Sequence, residues 1–153
     1  MDATLDEKAR LRAAIIRIAR KLNSSSAIDG LSPTQATFLA VVATRSPISL
    51  AELTAYEGLN PTMASRIVAT LSRRHLIQRA RNPDDLRTVL LEATAAGHEF
   101  QSRIMEQRDA AVAEALGKVS AADRKMIMRA IPALENLVIA LGWPAPAAKP
   151  EST

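Results

Sequence analysis

The side chains that most clearly suggest a functional site lie in a cationic stretch at residues 60–81. It holds five arginines and no acidic residue, so its charge exceeds the net charge of +4 carried by the whole 153-residue chain. Asn60 suits the N-cap of a helix, and Pro61 suits the first helical position, where a missing N–H removes no helical hydrogen bond. The stretch therefore predicts a helix that begins at this pair of residues.

The two faces of this helix differ in their chemistry. At helical spacing, one side gathers the apolar residues Met63, Ala64, Ile67, Val68 and Leu71. The other side gathers small, hydroxylated and cationic residues, which are Thr62, Ser65, Arg66, Ala69, Ser72 and Arg73. Such a face can approach the major groove of double-stranded DNA and present donors to base edges and phosphates. An ordinary solvated helix can carry the same face, so the neighbouring elements must distinguish the two interpretations.

A short capped helix is predicted immediately before the cationic one. Ser49 and Glu52 have the spacing of a capping box, and Gly58 marks the end of the helix that they begin. Only Gly58 and Leu59 remain before Asn60, which is room for a tight turn and nothing more. Two short helices joined in this way are typical of a helix-turn-helix, although helix hairpins without a DNA-binding role use the same turn.

A change of period after the cationic helix predicts a β-hairpin. At 77–81 the residues Ile77, Arg79 and Arg81 alternate with Gln78 and Ala80, a turn cluster follows at 82–85, and residues 88–91 are rich in β-branched and apolar types. A hairpin directly after a helix-turn-helix is a wing, whose tip can reach the DNA backbone or minor groove. Asp85 and Arg87 lie at the expected tip. A solvated local ion pair is the alternative interpretation of these two residues.

Amphipathic helices are predicted on both sides of this region. The first extends from about Leu5 to Ser24, and a second begins at Ser32 and Pro33 and buries Phe38, Leu39, Val41 and Val42. A long helix begins after Thr94, continues to about Leu116, and buries Phe100, Ile104, Met105, Val112 and Leu116. A last helix begins after Ser120 and carries a broad apolar band at 127–141, with Pro132 inside it.

The first and last helices carry more apolar surface than a small monomer should leave exposed. The economical explanation is that they pair across a homodimer interface, and a monomeric helical bundle is the alternative. The overall composition, 48% hydrophobic but 3% aromatic, favours packed helices over a β-sandwich. The predicted fold class is therefore mainly α with a small β-hairpin wing, a winged helix-turn-helix plus a helical dimerisation region.

Several classes of function are excluded by what the sequence does not contain. The absence of cysteine excludes disulfides, zinc-thiolate sites and thiol-based redox sensing. Neither histidine lies in a cluster with metal-ligand spacing, and no Gly-rich phosphate loop, nucleophile motif or acid-base pair suggests an enzyme. We therefore expect no catalytic residue, no metal and no cofactor. With no signal-peptide core and no membrane-spanning apolar run, we expect a cytoplasmic protein.

The order of these elements resembles the MarR family of winged helix-turn-helix transcription regulators, over roughly residues 8 to 141. The resemblance is carried by Leu31-Ser32-Pro33-Thr34-Gln35, by Leu50-Ala51-Glu52-Leu53, by residues 59–68, and by Asp85-Leu86-Arg87 followed by Leu91 and Thr94. One departure is His75, which stands where the family commonly has the glycine that ends the recognition helix. Histidine can adopt the left-handed conformation of that glycine at some cost.

The resemblance implies particular roles for particular residues. Thr62, Ser65 and Arg66 would enter the major groove, and Arg87 would enter the minor groove, steadied by Asp85. The candidate DNA-binding residues are Asn60, Pro61, Thr62, Ser65, Arg66, Arg73, Asp85 and Arg87. The resemblance further implies a homodimer formed by the terminal helices, a palindromic operator in double-stranded DNA, and a small aromatic or phenolic acid as effector; no ligand-binding residue can be named.

We therefore predict a helical dimerisation region at 1–30 and 95–142, a winged helix-turn-helix lobe at 31–94 and a disordered tail at 143–153. The expected function is a dimeric, sequence-specific DNA-binding regulator, a repressor that a small-molecule effector releases. A winged-helix protein-interaction module without DNA binding is the alternative.

Overall fold

A computed structural model of the chain describes residues 4–24, 30–83, 85 and 88–142. In chain order its elements are α1 (Leu5–Ser24), α2 (Pro33–Arg45), β1 (Ile48–Ser49), α3 (Leu50–Glu57), α4 (Pro61–Arg73), β2 (Ile77–Arg81), β3 (Val89–Ala93), α5 (Ala95–Lys118) and α6 (Ala121–Ala140). The predicted class, mainly α with a small β-hairpin, is confirmed. The predicted tail and Arg87 lie outside the described residues.

The helices begin at side-chain caps that the sequence predicts. Ser32 and Gln35 form a reciprocal capping box at α2, and Ser49 and Glu52 form another at α3. The side-chain oxygen of Asn60 accepts a hydrogen bond of 2.8 Å from the backbone N–H of Met63. Because each cap satisfies backbone donors that the helix leaves unpaired, these boundaries are determined locally.

The sheet has three antiparallel strands in the order β1-β3-β2. In the hairpin, Ile77 pairs with Ala93 and Arg81 with Val89. The sequence predicts this hairpin but not β1, which has two residues and pairs Ile48 with Leu91. A strand this short has no alternation to detect, and its pairing depends on a partner more than 40 residues away in the chain.

The chain divides into two compact units, Met1–Ala111 and Val112–Thr153. The hydrophobic core of the first unit contains residues from α2 to α5, among them Phe38, Leu39, Val42, Leu53, Leu71, Leu91, Phe100 and Ile104. Three residues that the sequence places on buried faces are instead half-exposed, namely Met63, Met105 and Val112. On α5 the buried stripe is narrow, Gly97, Phe100 and Ile104, and Met105 lies one residue around the helix from it.

The helices at the two ends of the described chain leave their apolar stripes uncovered. On α1, Leu11, Ile15 and Ile18 are exposed, and no residue of α6 is buried. Pro132 lies inside α6, which runs from Ala121 to Ala140. Within the described residues, no helix has both the length and the apolar character needed to cross a membrane.

Candidate nucleic-acid interface

Helix α4 separates a buried face from an exposed one. Its buried residues are Ala64, Ile67, Val68 and Leu71, and they belong to the core of the first unit. The predicted site residues on the opposite face, Asn60, Pro61, Thr62, Ser65, Arg66 and Arg73, are all exposed. The structure therefore brings six of the eight predicted residues together on one helix face, clear of the core.

The preceding helix holds α4 in place. Leu53 of α3 is completely buried, and Leu59 in the turn between the helices packs against the same core. Gly58 ends α3 in the left-handed conformation, with φ 62°, which allows the chain to reverse within two residues. At the start of α3, the Ser49 hydroxyl and then its backbone N–H donate to the Glu52 carboxylate and hold the pKa of that group below its ordinary value.

The arginines of the cationic stretch have different surroundings. Arg66 is exposed on the outer face of α4, whereas a guanidinium N–H of Arg73 donates to the hydroxyl of Thr70 at 3.2 Å. The guanidinium carbon of Arg74 lies 5.4 Å from the centroid of the Phe100 ring, a cation–π contact with the core. Arg66 is therefore available to a groove, while Arg74 is part of the packing.

The end of α4 has a left-handed residue at His75, the position where the sequence departs from the family pattern. His75 has φ 56° and is the one residue other than glycine with positive φ in the described part of the chain. Its N–H donates to the Ser72 carbonyl at 2.9 Å, and the N–H of Leu76 donates to the Leu71 carbonyl at 3.0 Å. These two bonds form a Schellman motif, so histidine takes the conformation usually given to glycine.

At the tip of the wing, the described contacts involve Asp85 and Thr88. The Thr88 hydroxyl donates to the Asp85 carboxylate at 2.7 Å, and the Thr88 N–H donates to the Asp85 carbonyl at 3.0 Å. The predicted partnership of Asp85 with Arg87 lies outside the described residues. The contact with Thr88 closes the turn and holds the Asp85 carboxylate at the tip.

The register of the hairpin adds two arginines that were not among the predicted site residues. Arg79 and Arg81 alternate with Gln78 and Ala80, so they lie on the face of β2 that carries the buried Ile77. Both arginines are exposed, and β2 contacts α4. The alternation was visible in the sequence, but which face of the hairpin meets the helices depends on tertiary packing.

The candidate interface is also positively charged. The stretch at 60–81, which the structure describes completely, has five arginines and no acidic residue of its own. Among the described residues, no group of three or more His, Cys, Asp or Glu side chains could hold a metal ion. The surface is thus a cationic one that presents hydroxyl and guanidinium donors, the groups that contact phosphates and base edges.

Two short helices joined by a tight turn and followed by a two-stranded wing define a winged helix-turn-helix protein. Comparison with known proteins finds relatives of this class. Residues 31–89 match the model of the MarR family. An HTH-type transcriptional regulator of Mycobacterium bovis is 26% identical over 138 residues, 88% of this chain and 96% of the relative.

Solved structures share the fold over most of the chain. RV1404 of Mycobacterium tuberculosis has a TM-score of 0.74 and 24% identity, covering 88% of this chain and 94% of that one. Streptococcus pneumoniae FabT, solved in complex with DNA, has a TM-score of 0.69 and 14% identity, covering 88% and 99%. The chain is thus similar to the MarR family in its helix-turn-helix and wing and in its fold, and the resemblance found in its sequence is confirmed.

Proposed function

We propose that this protein is a homodimeric transcription regulator that binds double-stranded DNA. Helix α4 would lie in the major groove, and the wing formed by β2 and β3 would contact the flanking backbone and minor groove. The observation that carries the proposal is the exposed, acid-free face of α4, with Thr62, Ser65 and Arg66 on it. FabT, which shares the fold, has been solved with DNA.

The same face argues against a protein-docking surface. Interfaces between proteins have an apolar centre, whereas Met63 is the one large apolar side chain exposed on α4. The remaining exposed residues are short, hydroxylated or cationic, which suits a negatively charged, hydrated groove. The protein-interaction module is therefore the weaker of the two functions that the sequence allows.

The apolar stripes of the terminal helices support dimerisation. On α1 the side chains of Leu11, Ile15 and Ile18, and on α6 those of Ile127, Ile131, Leu134 and Val138, are between 41% and 60% exposed in the single chain. Exposing apolar surface along two helices to water is unfavourable, and packing against a second copy of the chain is the simplest way to bury it. A two-fold dimer would present two α4 helices to two half-sites of a palindromic operator, about 34–36 Å apart.

Two further parts of the proposal depend on the family resemblance. A small aromatic or phenolic acid would act as effector by changing the spacing of the two α4 helices, and binding at the promoter would repress transcription. Because the effector and DNA would be coupled, each must change the affinity of the other by the same factor. A DNA partner of this kind implies a cytoplasmic location.

Selection from a random-sequence duplex pool by the wild-type protein tests DNA binding. We expect an enriched inverted repeat whose half-site centres are about 10 base pairs apart, and an affinity that falls steeply with salt. In Arg66→Ala the base preference at one position of each half-site should be relaxed, whereas Arg129→Ala, which removes an equal charge from α6, should select the same repeat as the wild type. Equal affinity of the wild-type protein for every duplex would contradict sequence-specific recognition.

Titration with salicylate tests the effector. We expect the acid to release the selected duplex and to raise the thermal stability of the free protein. If the acid binds and the affinity for the duplex stays the same, the effector part of the proposal is wrong.

A further inference from the structure

The start of α5 and the end of α4 are joined through one side chain. The Thr94 hydroxyl donates to the carbonyl oxygen of His75 at 2.6 Å and accepts from the backbone N–H of Gly97 at 3.0 Å. The backbone N–H of Thr94 also donates to the carbonyl oxygen of Leu76, at 3.1 Å. Thr94 thus caps α5 and at the same time binds two consecutive carbonyls beyond the end of α4.

Gly97 brings the backbones still closer. A Cβ atom at this position would lie 2.0 Å from the carbonyl oxygen of Leu76 and 3.0 Å from its carbonyl carbon. A backbone oxygen cannot move aside as the end of a flexible side chain can. The first turn of α5 therefore packs directly on the peptide between Leu76 and Ile77, and only glycine allows that approach.

The peptide held in this way is the junction of both candidate DNA-contacting elements. On its N-terminal side, Leu76 completes the Schellman motif that ends α4, through its bond to Leu71. On its C-terminal side, β2 begins at Ile77. A displacement of the α5 start must either carry α4 and the wing with it or break the contacts of Thr94 and Gly97.

We propose that Thr94 and Gly97 are positioning residues for DNA binding, which fix the angle between α4 and the wing through the carbonyls of His75 and Leu76. The inference rests on the proposed function. Neither residue needs to touch DNA. The first turn of α5 instead sets the geometry in which α4 and the wing meet one duplex together.

Three substitutions at Thr94 separate positioning from helix capping. Thr94→Ser keeps both the donor and the cap, Thr94→Val removes both, and Thr94→Asp keeps a good cap but cannot donate to the His75 carbonyl. Gly97→Ala introduces the clash with Leu76. Its matched control is Gly117→Ala in the same helix, where a Cβ meets nothing within 4 Å.

The first measurement needs no DNA. The chain contains no cysteine, so spin labels can be attached at cysteines introduced at the exposed Ala69 of α4 and Val89 of the wing. Diluting labelled with unlabelled protein isolates the distance within one chain. We expect a narrow distribution in the wild type, Thr94→Ser and Gly117→Ala, and a broadened or shifted one in Thr94→Val, Thr94→Asp and Gly97→Ala. An unchanged distribution in those three variants would overturn the proposal, whether or not the wild type binds DNA.

The second measurement compares the affinities of each variant for the duplex selected by the wild type and for a scrambled duplex of equal length. We expect Thr94→Val and Thr94→Asp to lose about tenfold in the ratio of these affinities, the equivalent of one hydrogen bond, and Thr94→Ser to restore it. The added charge of Thr94→Asp affects both duplexes alike and cancels in the ratio. If the wild type discriminates and Thr94→Asp discriminates as well as the wild type, Thr94 acts only as a cap and the proposal is wrong. If the wild type itself does not discriminate, the proposed function fails and the distances alone decide the inference.

Discussion

The backbone N–H of Leu76 donates to the carbonyl oxygen of Leu71 across the left-handed residue His75, and both leucine side chains are buried in one core cluster. This hydrogen bond ends α4, and β2 begins at the residue after Leu76. Burial of Leu71 and Leu76 in the same cluster accompanies the two backbone bonds, and a Schellman motif frequently pairs apolar residues at these two positions. The motif requires positive φ at His75, a conformation in which a β-carbon is unfavourable.

Replacing His75 with glycine should stabilise the fold. The change removes the cost of a left-handed histidine and adds some entropy to the unfolded chain, so we expect the free energy of unfolding to rise by about 0.5–1 kcal/mol. Chemical denaturation measures this free energy of unfolding. Arg73→Gly, two residues earlier and inside the helix, is the control and should destabilise by about 1 kcal/mol. Destabilisation by both glycines would show that His75 stores no such cost.

The capping box of α3 should make stability depend on pH. Because the Ser49 hydroxyl and N–H lower the pKa of Glu52, the unfolded state binds this proton more tightly than the folded state, and stability rises with pH. The contribution is complete above the ordinary pKa of 4.5 and is lost as the pH falls below it. Melting temperatures of the wild type and Glu52→Gln should therefore converge as the pH is lowered from 6 to 3. Ser49→Ala should also reduce the pH dependence. If the melting temperatures of the wild type and Glu52→Gln differ by the same amount at every pH, the capping box does not contribute to stability.

Arg66 and Arg87 should affect DNA binding differently. Arg66→Ala should cost about 1–3 kcal/mol of binding free energy and relax the base preference at one position in each half-site, if the guanidinium reads a base edge. Arg87→Ala should weaken all sequences similarly and make the salt dependence shallower. Selection experiments with each variant measure both effects. If Arg66→Ala lowers the affinity for selected and for random DNA equally, Arg66 contacts the DNA backbone and does not read a base.

Arg79 and Arg81 should bind phosphates without reading sequence. We expect each alanine substitution to lower the slope of log affinity against log salt by about 0.9, the value for one phosphate contact on duplex DNA. Fluorescence anisotropy across a salt series provides the slope. Lys125→Ala removes the same charge from α6, which is not part of the candidate interface, and should leave the slope unchanged. Slopes equal to that of the wild type would mean that the β2 face does not meet DNA.

The protein should be an obligate homodimer. Light scattering at micromolar concentration should give the mass of two chains, and Ile131→Glu with Leu134→Glu should give monomer or aggregate, because a charge replaces apolar contact on α6. Truncation after Ala122 removes nearly all of α6, and the shortened protein should therefore aggregate. Arg129→Ala, on the same helix, serves as the control and should remain dimeric. A monomeric wild type would contradict the prediction, and the apolar stripes of α1 and α6 would then have to be buried in another way.

The sequence by itself determined the elements whose causes are local. Ser32, Ser49, Asn60 and Ser120 each cap a helix through a bond to the residue three positions later, so the helix starts could be read to within a residue. The apolar period of α4 likewise predicted which of its residues are buried, apart from Met63. Periodicity cannot resolve a residue near the edge of the stripe, because its exposure depends on what packs beside it.

Only the tertiary structure decided the contacts between distant segments. The pairing of Ile48 with Leu91 makes β1 a strand, and the face of the hairpin that carries Arg79 follows from how Ile77 enters the core. The hydroxyl of Thr94 was predicted to cap α5, but its bond to His75 joins residues 19 positions apart. No local pattern encodes such a bond, because its partners meet only after the core has placed one backbone against the other.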